Sequence, residues 1–330
     1  MGTTDLIATL GDRWVVVVGM KVQTLHVSSA KIRAGIAATI AALLAVYVFQ
    51  NWNVMRKSFA VLADASPLFL VAGVALTALT FIFAARSYAS LALKQLAFKE
   101  LVAIELAATA INRIFPSGLG GMGAHGLYLF KRGHSKTAAA LVVGTNNLLG
   151  FFVHIFLLSV AVLLAPQTLQ DFDLPRLHGY SLLVAVLLAM LGVWYAKRRG
   201  AYGAIQRNIH KTIGEYARQP VKLGVAAISL FGVTLTNFVI FMLACAAMGI
   251  SLPLVTGFLI FSIGILVGAA TPTPGGLAGV EAGLVAGLLA VNVDEVSAIA
   301  AVLAFRFVTF WLPLIPGIVA LVYVRKQKLL

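Results

Sequence analysis

The sequence predicts an all-α polytopic membrane protein, built as two halves of inverted topology, each with a broken or re-entrant helical segment. Three observations predict it. Of 330 residues, 61% are hydrophobic and only 11% are charged, where ordinary globular chains carry roughly a quarter charged residues. The basic residues fall in short blocks between apolar runs. Finally, two proline- and glycine-rich breaks, NRIFPSGLGGMGAHG at 112–126 and TPTPGGLAGVE at 271–281, interrupt runs too apolar to be soluble loops. In lipid, non-helical backbone is tolerated only where protein covers it or where it lines a wet cavity. Breaks at matching places in two halves of a chain point to a transport site.

Residues 1–33 are mixed in character and read as a cytoplasmic or interfacial segment, since the apolar run 14–20 is too short to span. No basic stretch there leads into an apolar core and a cleavage site, so the start is not a signal peptide. The first transmembrane half occupies 34–165, with spans expected at 34–48 and 67–91. Residues 101–115 suffice for only part of a crossing at about 1.5 Å per residue. They meet the first break, 112–126, and a short apolar piece at 122–130 follows it. The turn KRGHSK then leads to a long span at 137–164.

The loop 166–178 carries Asp171 and Asp173 against Arg176 alone and is expected outside. The second half, 179–330, opens with a span at 180–195. Segment 197–222 is densely basic, and within it Tyr202, Ile205, Ile209, Ile213 and Tyr216 recur at helical spacing opposite Arg207 and Lys211. That pattern fits an amphipathic helix on an anionic leaflet or an ordinary linker helix. A span at 223–248 and an apolar run at 252–270 lead into the second break, 271–281. A short piece at 281–291, an acidic turn at 292–295 and a last span at 298–324 complete the chain before the tail RKQKLL.

The net charge of +14 invites a nucleic-acid reading. Blocks such as Lys197-Arg198-Arg199 and Arg325-Lys326 instead match the positive-inside pattern of topology signals. Placing 197–222 and the tail inside puts both termini in the cytoplasm of a multi-pass cell-membrane protein. The first break then enters from the cytoplasmic side and the second from outside. Cys245 is the only cysteine, which excludes an intramolecular disulfide and a cysteine-built zinc site.

Charges at membrane depth cost several kcal/mol unless paired or hydrated, so each is a functional candidate. They are Arg86, Glu105, Arg113 beside the first break, Glu281 after the second, and Arg306 in the last span. Half-helices that begin at glycine breaks aim N–H groups and positive dipole ends at an anion. Arginine adds a planar charge suited to phosphate. The candidate substrate-binding set is therefore Arg113, Pro116, Gly118, Gly120 and Gly121 from the first break, with Thr271, Thr273, Pro274, Gly275, Gly276, Glu281 and Arg306 from the second.

A structural alternative stands beside this one: Glu281 and Arg306 as a buried pair that locks the short helix. The two are compatible. Arg86, near a span end, is expected to snorkel to the interface. Glu105, Thr109 and Asn112 share one helix face, fit for interhelical hydrogen bonds or for a proton or cation relay. Asn146, Asn147 and His154 are expected to bond between helices as well. His125 and His134 have no spaced metal partner. No catalytic triad, acid pair or GxxxxGK loop is present, so neither an enzyme nor a cofactor is expected. The pairs Gly264/Gly268 and Gly283/Gly287 mark close helix packing.

PTPGGLAGVEAG at 272–283 with Arg306 downstream, and NRIFPSGLGG at 112–121 followed by Lys131-Arg132-Gly133, resemble the lysylphosphatidylglycerol synthase transmembrane, or flippase-like, family. The resemblance runs from about the second span to the end. It implies a polytopic domain that moves or handles anionic lipids, fused in larger relatives to a soluble domain that attaches an amino acid to phosphatidylglycerol. Other relatives accompany polyprenyl-linked glycan or hopanoid pathways. Two departures matter. No soluble transferase domain follows Leu330, so lysyl transfer is not assigned. In addition, Gly144-Thr145-Asn146-Asn147 stands where relatives often carry a Glu-Arg pair.

The expected function is translocation of an anionic lipid between leaflets: a phospholipid, an aminoacyl-phosphatidylglycerol or a polyprenyl-phosphate conjugate. Arg306 and Arg113 would hold the phosphate, and the breaks would supply N–H groups. Glu281 would pair with arginine or with an aminoacyl amine. The expected partners are anionic membrane lipids, and no nucleic acid. The alternatives are a small-solute or ion-coupled transporter, and a non-transporting subunit that presents lipid to a separate glycosyl- or aminoacyl-transferase.

Overall fold

A computed structural model describes residues 67–113, 118–164, 218–271 and 275–330, together with Ala60, Tyr216 and Thr273. Segment 1–33, the spans expected at 34–48 and 180–195, the loop 166–178 and nearly all of the amphipathic stretch 197–222 lie outside the described residues, as do Pro116 and Pro274.

Helix α1, Pro67–Leu91, is the span expected there. Two short helices follow, α2 at Phe98–Asn112 and α3 at Leu119–Lys131, separated by the first break. Then comes α4, Lys136–Leu164. In the second half α5 covers Pro220–Ala247, and the short helices α6, Leu254–Ala270, and α7, Gly279–Ala290, flank the second break. Helix α8, Glu295–Arg306, passes through a π-helical turn, Phe307–Trp311, into α9, Leu314–Lys326. Among the described residues all regular structure is helical.

Length sorts these elements. Helices α1, α4 and α5 have 25, 29 and 28 residues, more than enough for a hydrocarbon core of about 30 Å at about 1.5 Å per residue. The path Glu295–Lys326 is long and apolar enough to cross as well. The 12–17 residues of α2, α3, α6 and α7 are too few. Each pair packs on its own partner across a break, which is the geometry of a re-entrant hairpin. The chain is a multi-pass membrane protein.

Glycines make the second hairpin tight. A Cβ on Gly283 would lie 2.9 Å from the Cα of Gly264, one on Gly287 would strike Ile260, and one on Gly268 would overlap Val280. The two GxxxG pairs thus face each other or the opposite helix, as close packing requires. Below them Phe238, Phe241, Phe258, Phe261 and Phe305 form the aromatic centre of the larger apolar cluster.

The halves interlock. Helix α1 runs along α5, where Phe83 fills the space over Gly232 and Thr80 and Thr236 share a 2.7 Å hydrogen bond. From the other end of the chain, α9 packs on α2, with Gly317 seated against the Leu106 carbonyl.

Three expectations change. The last span is not one α-helix, because Pro313 lacks an N–H and crowds the preceding turn. The chain widens into the π turn instead, with Leu312 N–H bonded to the Phe307 carbonyl at 2.8 Å. Tyr216 does not face a leaflet: it is buried, and its hydroxyl donates to the Leu91 carbonyl at 2.6 Å. His154 does not bond across helices through Nε2, which has no partner among the described residues; its ring lies against Phe258 and Phe261. Asn146 does bond between helices, accepting from Ser87 on α1 at 2.7 Å. Asn147 donates to the Val143 carbonyl of its own helix and also hydrogen-bonds Tyr88 on α1. Arg86 is exposed on α1, as snorkelling requires.

Candidate functional site

Two arginines stand at helix ends beside departures from α geometry. Arg113 caps the C-terminus of α2 just before the first break, and Arg306 is the last residue of α8 before the π turn. Carbonyls are unsatisfied at helix C-termini, so a cation there is electrostatically favourable. The π turn carries Phe310 to a position between the halves. The Arg113 guanidinium carbon lies 3.5 Å from the centroid of that ring, and the Arg306 guanidinium carbon lies 4.2 Å from it. Arg113 also donates from Nη2 to the Phe310 carbonyl at 2.9 Å. One aromatic ring therefore holds two like charges, each by cation–π attraction.

Among the described residues one carboxylate pairs with this cluster, Glu281, and it meets Arg306. Arg306 Nε donates to Glu281 Oε1 at 2.6 Å, while its Nη2 reaches toward the Gly275 carbonyl at 3.4 Å. Glu281 sits in the first turn of α7, where the helix dipole favours a negative charge. The Arg306 side chain is 9% exposed and that of Glu281 26%. Arg113 Nε and Glu281 Oε2 are buried and have no hydrogen-bond partner among the described residues. The cluster carries one positive charge in excess and polar atoms without partners. The excess charge and the free Arg113 Nε donor suit a bound anion, whereas Glu281 Oε2, an acceptor, suits a donor such as an aminoacyl amine.

The expected site residues divide into two groups. Arg113, Gly275, Glu281 and Arg306 converge, and a Cβ on Gly275 would touch both Phe310 and the Arg113 guanidinium. Gly275 and Gly276 take positive φ, 63° and 68°, which lets the second break turn inside that space. The break also satisfies much of its own backbone. Thr271 and Thr273 hydroxyls donate to the Val267 and Leu277 carbonyls, and Gly276 N–H donates to Thr273 O.

Gly118, Gly120 and Gly121 belong to a different neighbourhood. Gly118 starts α3 in the left-handed region, Gly120 packs on Ile111, and Gly121 N–H donates to Asn112 Oδ1 at 2.5 Å. The Gly121 N–H is thus already used. Glu105, on the same face of α2 as Asn112, meets His125 of α3 at 2.9 Å. Among the described residues no three potential metal ligands come together.

One contributor was invisible in the sequence and one contact was missed. Phe310 is one of 20 phenylalanines in an apolar chain, and only its neighbour Pro313 hinted at irregular backbone. His125 gave a signal that could have been used: it and Glu105 are both polar residues at membrane depth, on the two arms of one hairpin.

With this geometry in view, the comparison with known families is informative. The family described as the lysylphosphatidylglycerol synthase TM region matches residues 33–317, which include both breaks, both arginines, Glu281 and Phe310. No curated protein matches the sequence.

Proposed function

The chain belongs to the lysylphosphatidylglycerol synthase transmembrane-region family, and from that premise we propose that it translocates an anionic lipid between leaflets. The observation that carries this reading is the pair of arginines on one phenylalanine ring, of which, among the described residues, only Arg306 is paired with a carboxylate, Glu281. A phosphate would complete the charge balance, and arginine's planar donors suit its oxygens. The acyl or prenyl chains would stay in lipid while the headgroup passes between the hairpins.

The two halves follow one order: span, short helix, break, short helix, span. The loop KRGHSK lies at the α3 end of the first hairpin and the turn NVDE at the α7 end of the second. By charge, these ends fall on opposite sides of the membrane. We read this as inverted topology in the cell membrane, with both termini cytoplasmic. The role needs no bond-making chemistry and no cofactor. Its partners are anionic lipids.

The test is headgroup translocation in proteoliposomes with labelled phosphatidylglycerol, its lysyl derivative and a polyprenyl phosphate. Wild type should move one of them. Arg113→Gln should slow it at least about tenfold, since a hydrogen bond to a charged group is worth roughly 1.5–3 kcal/mol. Equal rates in the variant would remove the arginine pair from the mechanism. If no lipid moves, a subunit that presents lipid to a separate transferase becomes the better reading.

A further inference from the structure

Among the polar contacts outside the arginine cluster, the pair Glu105–His125 asks for something that its two side chains cannot supply alone. His125 is 3% exposed. Its Nε2 lies 2.9 Å from Glu105 Oε1, and its Nδ1 lies 2.8 Å from the Gly121 carbonyl oxygen. Both neighbours are acceptors, whereas a neutral imidazole has a single N–H. With a neutral ring beside an ionised carboxylate, one ring lone pair would face an oxygen lone pair at hydrogen-bond distance. In a buried site that conflict is not relieved by solvent.

One added proton removes it in either of two ways. The ring becomes imidazolium and donates at both nitrogens. Alternatively, Glu105 is protonated and donates to Nε2 while Nδ1–H donates to Gly121. The two forms hold the same number of protons, so the proton belongs to the pair.

We propose that Glu105 and His125 form a proton-binding site midway along the arms of the first hairpin, and that the arrangement described here is its proton-loaded state. The site lies seven residues into α2, about 10 Å from the start of that helix. The proton exchanges with the pair and no covalent bond to carbon is made or broken.

The groups around the pair are few. Tyr88 of α1 stacks flat on the imidazole, with ring centroids 4.0 Å apart. Helix α4 contributes the neutral Asn146 and Asn147, both hydrogen-bonded to Tyr88. Nearer the basic turn, Glu100 is engaged by Arg132 and Tyr128. On the other side of α2, α9 buries Gly317, Ala320 and Val324. The nearest carboxylate to the ring is therefore Glu105, and the other one nearby is already paired.

The site is connected to the arginine cluster through the hairpin. The Gly121 carbonyl accepts from His125, the Gly121 N–H donates to Asn112, and Asn112 precedes Arg113. Loss of the proton would cost one of the two bonds that His125 makes, to Glu105 across the arms or to Gly121 within α3. Either loss loosens the register that places Arg113. That this link gates headgroup passage rests on the translocation reading above; the proton site itself does not.

The experiment is nitrogen-15 NMR of histidine-labelled full-length protein in lipid nanodiscs at about pH 7, just above where an ordinary histidine loses its charge. The carboxyl infrared band of labelled glutamate is read on the same samples. The His125 signal is assigned with His125→Asn or, should that variant not fold, by replacing the other histidines in turn.

The expected result is either a doubly protonated His125 ring or an Nδ1–H ring together with a protonated carboxyl that disappears in Glu105→Gln. A neutral ring beside an ionised Glu105 would overturn the proposal. Translocation is measured in parallel. A loaded pair with no lipid movement would sink the transport reading alone. Lipid movement with a proton-free pair would sink this one alone.

Discussion

At the residue scale, Arg306 and Glu281 each make the other tolerable. Removing one partner of a buried pair leaves an uncompensated charge and costs roughly 3–5 kcal/mol, whereas replacing both is far milder. Arg306→Gln and Glu281→Gln should each lower unfolding stability in detergent by about that amount, and the double variant by clearly less than their sum. Strict additivity in such a cycle would mean that the 2.6 Å contact carries no coupling. Arg113 is different, because its Nε has no partner among the described residues to be orphaned. These three residues were legible in the sequence, since a charge in an apolar run is conspicuous by its cost. Phe310 was not. An aromatic residue in such a run has no cost to betray it, and its role comes from the π turn that lifts it between two cations.

At the element scale, the hairpins owe their shape to glycine and proline, and their ends to polar caps. Helix α8 begins with Asp294, whose carboxylate accepts from Ser297 N–H at 2.9 Å; that bond holds its pKa below the usual carboxylate value. The turn between α3 and α4 closes on His134, outside the spans. Its Nε2 accepts from Lys94 N–H at 3.3 Å and its Nδ1 faces the Leu129 carbonyl at 3.1 Å. Burial holds its pKa below the ordinary histidine value, against the opposing effect of the Leu129 hydrogen bond and with help from the Lys94 charge.

The neutral ring is therefore the form that the fold prefers. The stability it contributes is complete above about pH 6.5, the unfolded value, and is lost as pH falls through the lower folded value. Exchange protection at 132–135, taken relative to the intrinsic base-catalysed rate, should fall on acidification below about pH 6.5, and His134→Gln should flatten that dependence. A fall in protection on raising the pH instead would reverse the assignment. His134 and His125 lie nine positions apart on one stretch of chain yet differ in what they ask for: His134 is satisfied as a neutral ring, whereas the pair that includes His125 needs one added proton. One nitrogen of His134 meets a donor, whereas both nitrogens of His125 meet acceptors.

At the scale of the whole molecule, the contacts of α1 with α5 and of α9 with α2 bind the two ends of the chain into one body. The inverted arrangement proposed above makes a direct prediction about sidedness. In a Cys245→Ala background, Lys131→Cys and Glu295→Cys occupy exposed positions at the far ends of the two hairpins. An impermeant thiol reagent should label the first from the side of the basic tail and the second from the opposite side. Labelling of both from one side would make the hairpins parallel and remove the pseudo-symmetric site.

Composition and hydropathy by themselves determined that this chain is helical and crosses a membrane, because lipid admits only helices or closed barrels and the apolar runs are continuous and long enough for helices. They also placed the spans at 67–91, 137–164 and 223–248 to within a few residues, and marked both breaks from proline and glycine, drawing them too long, since 119–126 belong to α3 and 279–281 to α7. Burial cost marked out Arg113, Glu281 and Arg306. Only the tertiary structure decided which of these meet, because pairing depends on how helices far apart in the chain pack. Arg113 and Phe310 are 197 positions apart, and Glu281 and Arg306 are 25 apart. It also decided that the final span bends at a π turn and that Glu105 faces His125. Local periodicity records which face of a helix is polar. It does not record what that face will touch.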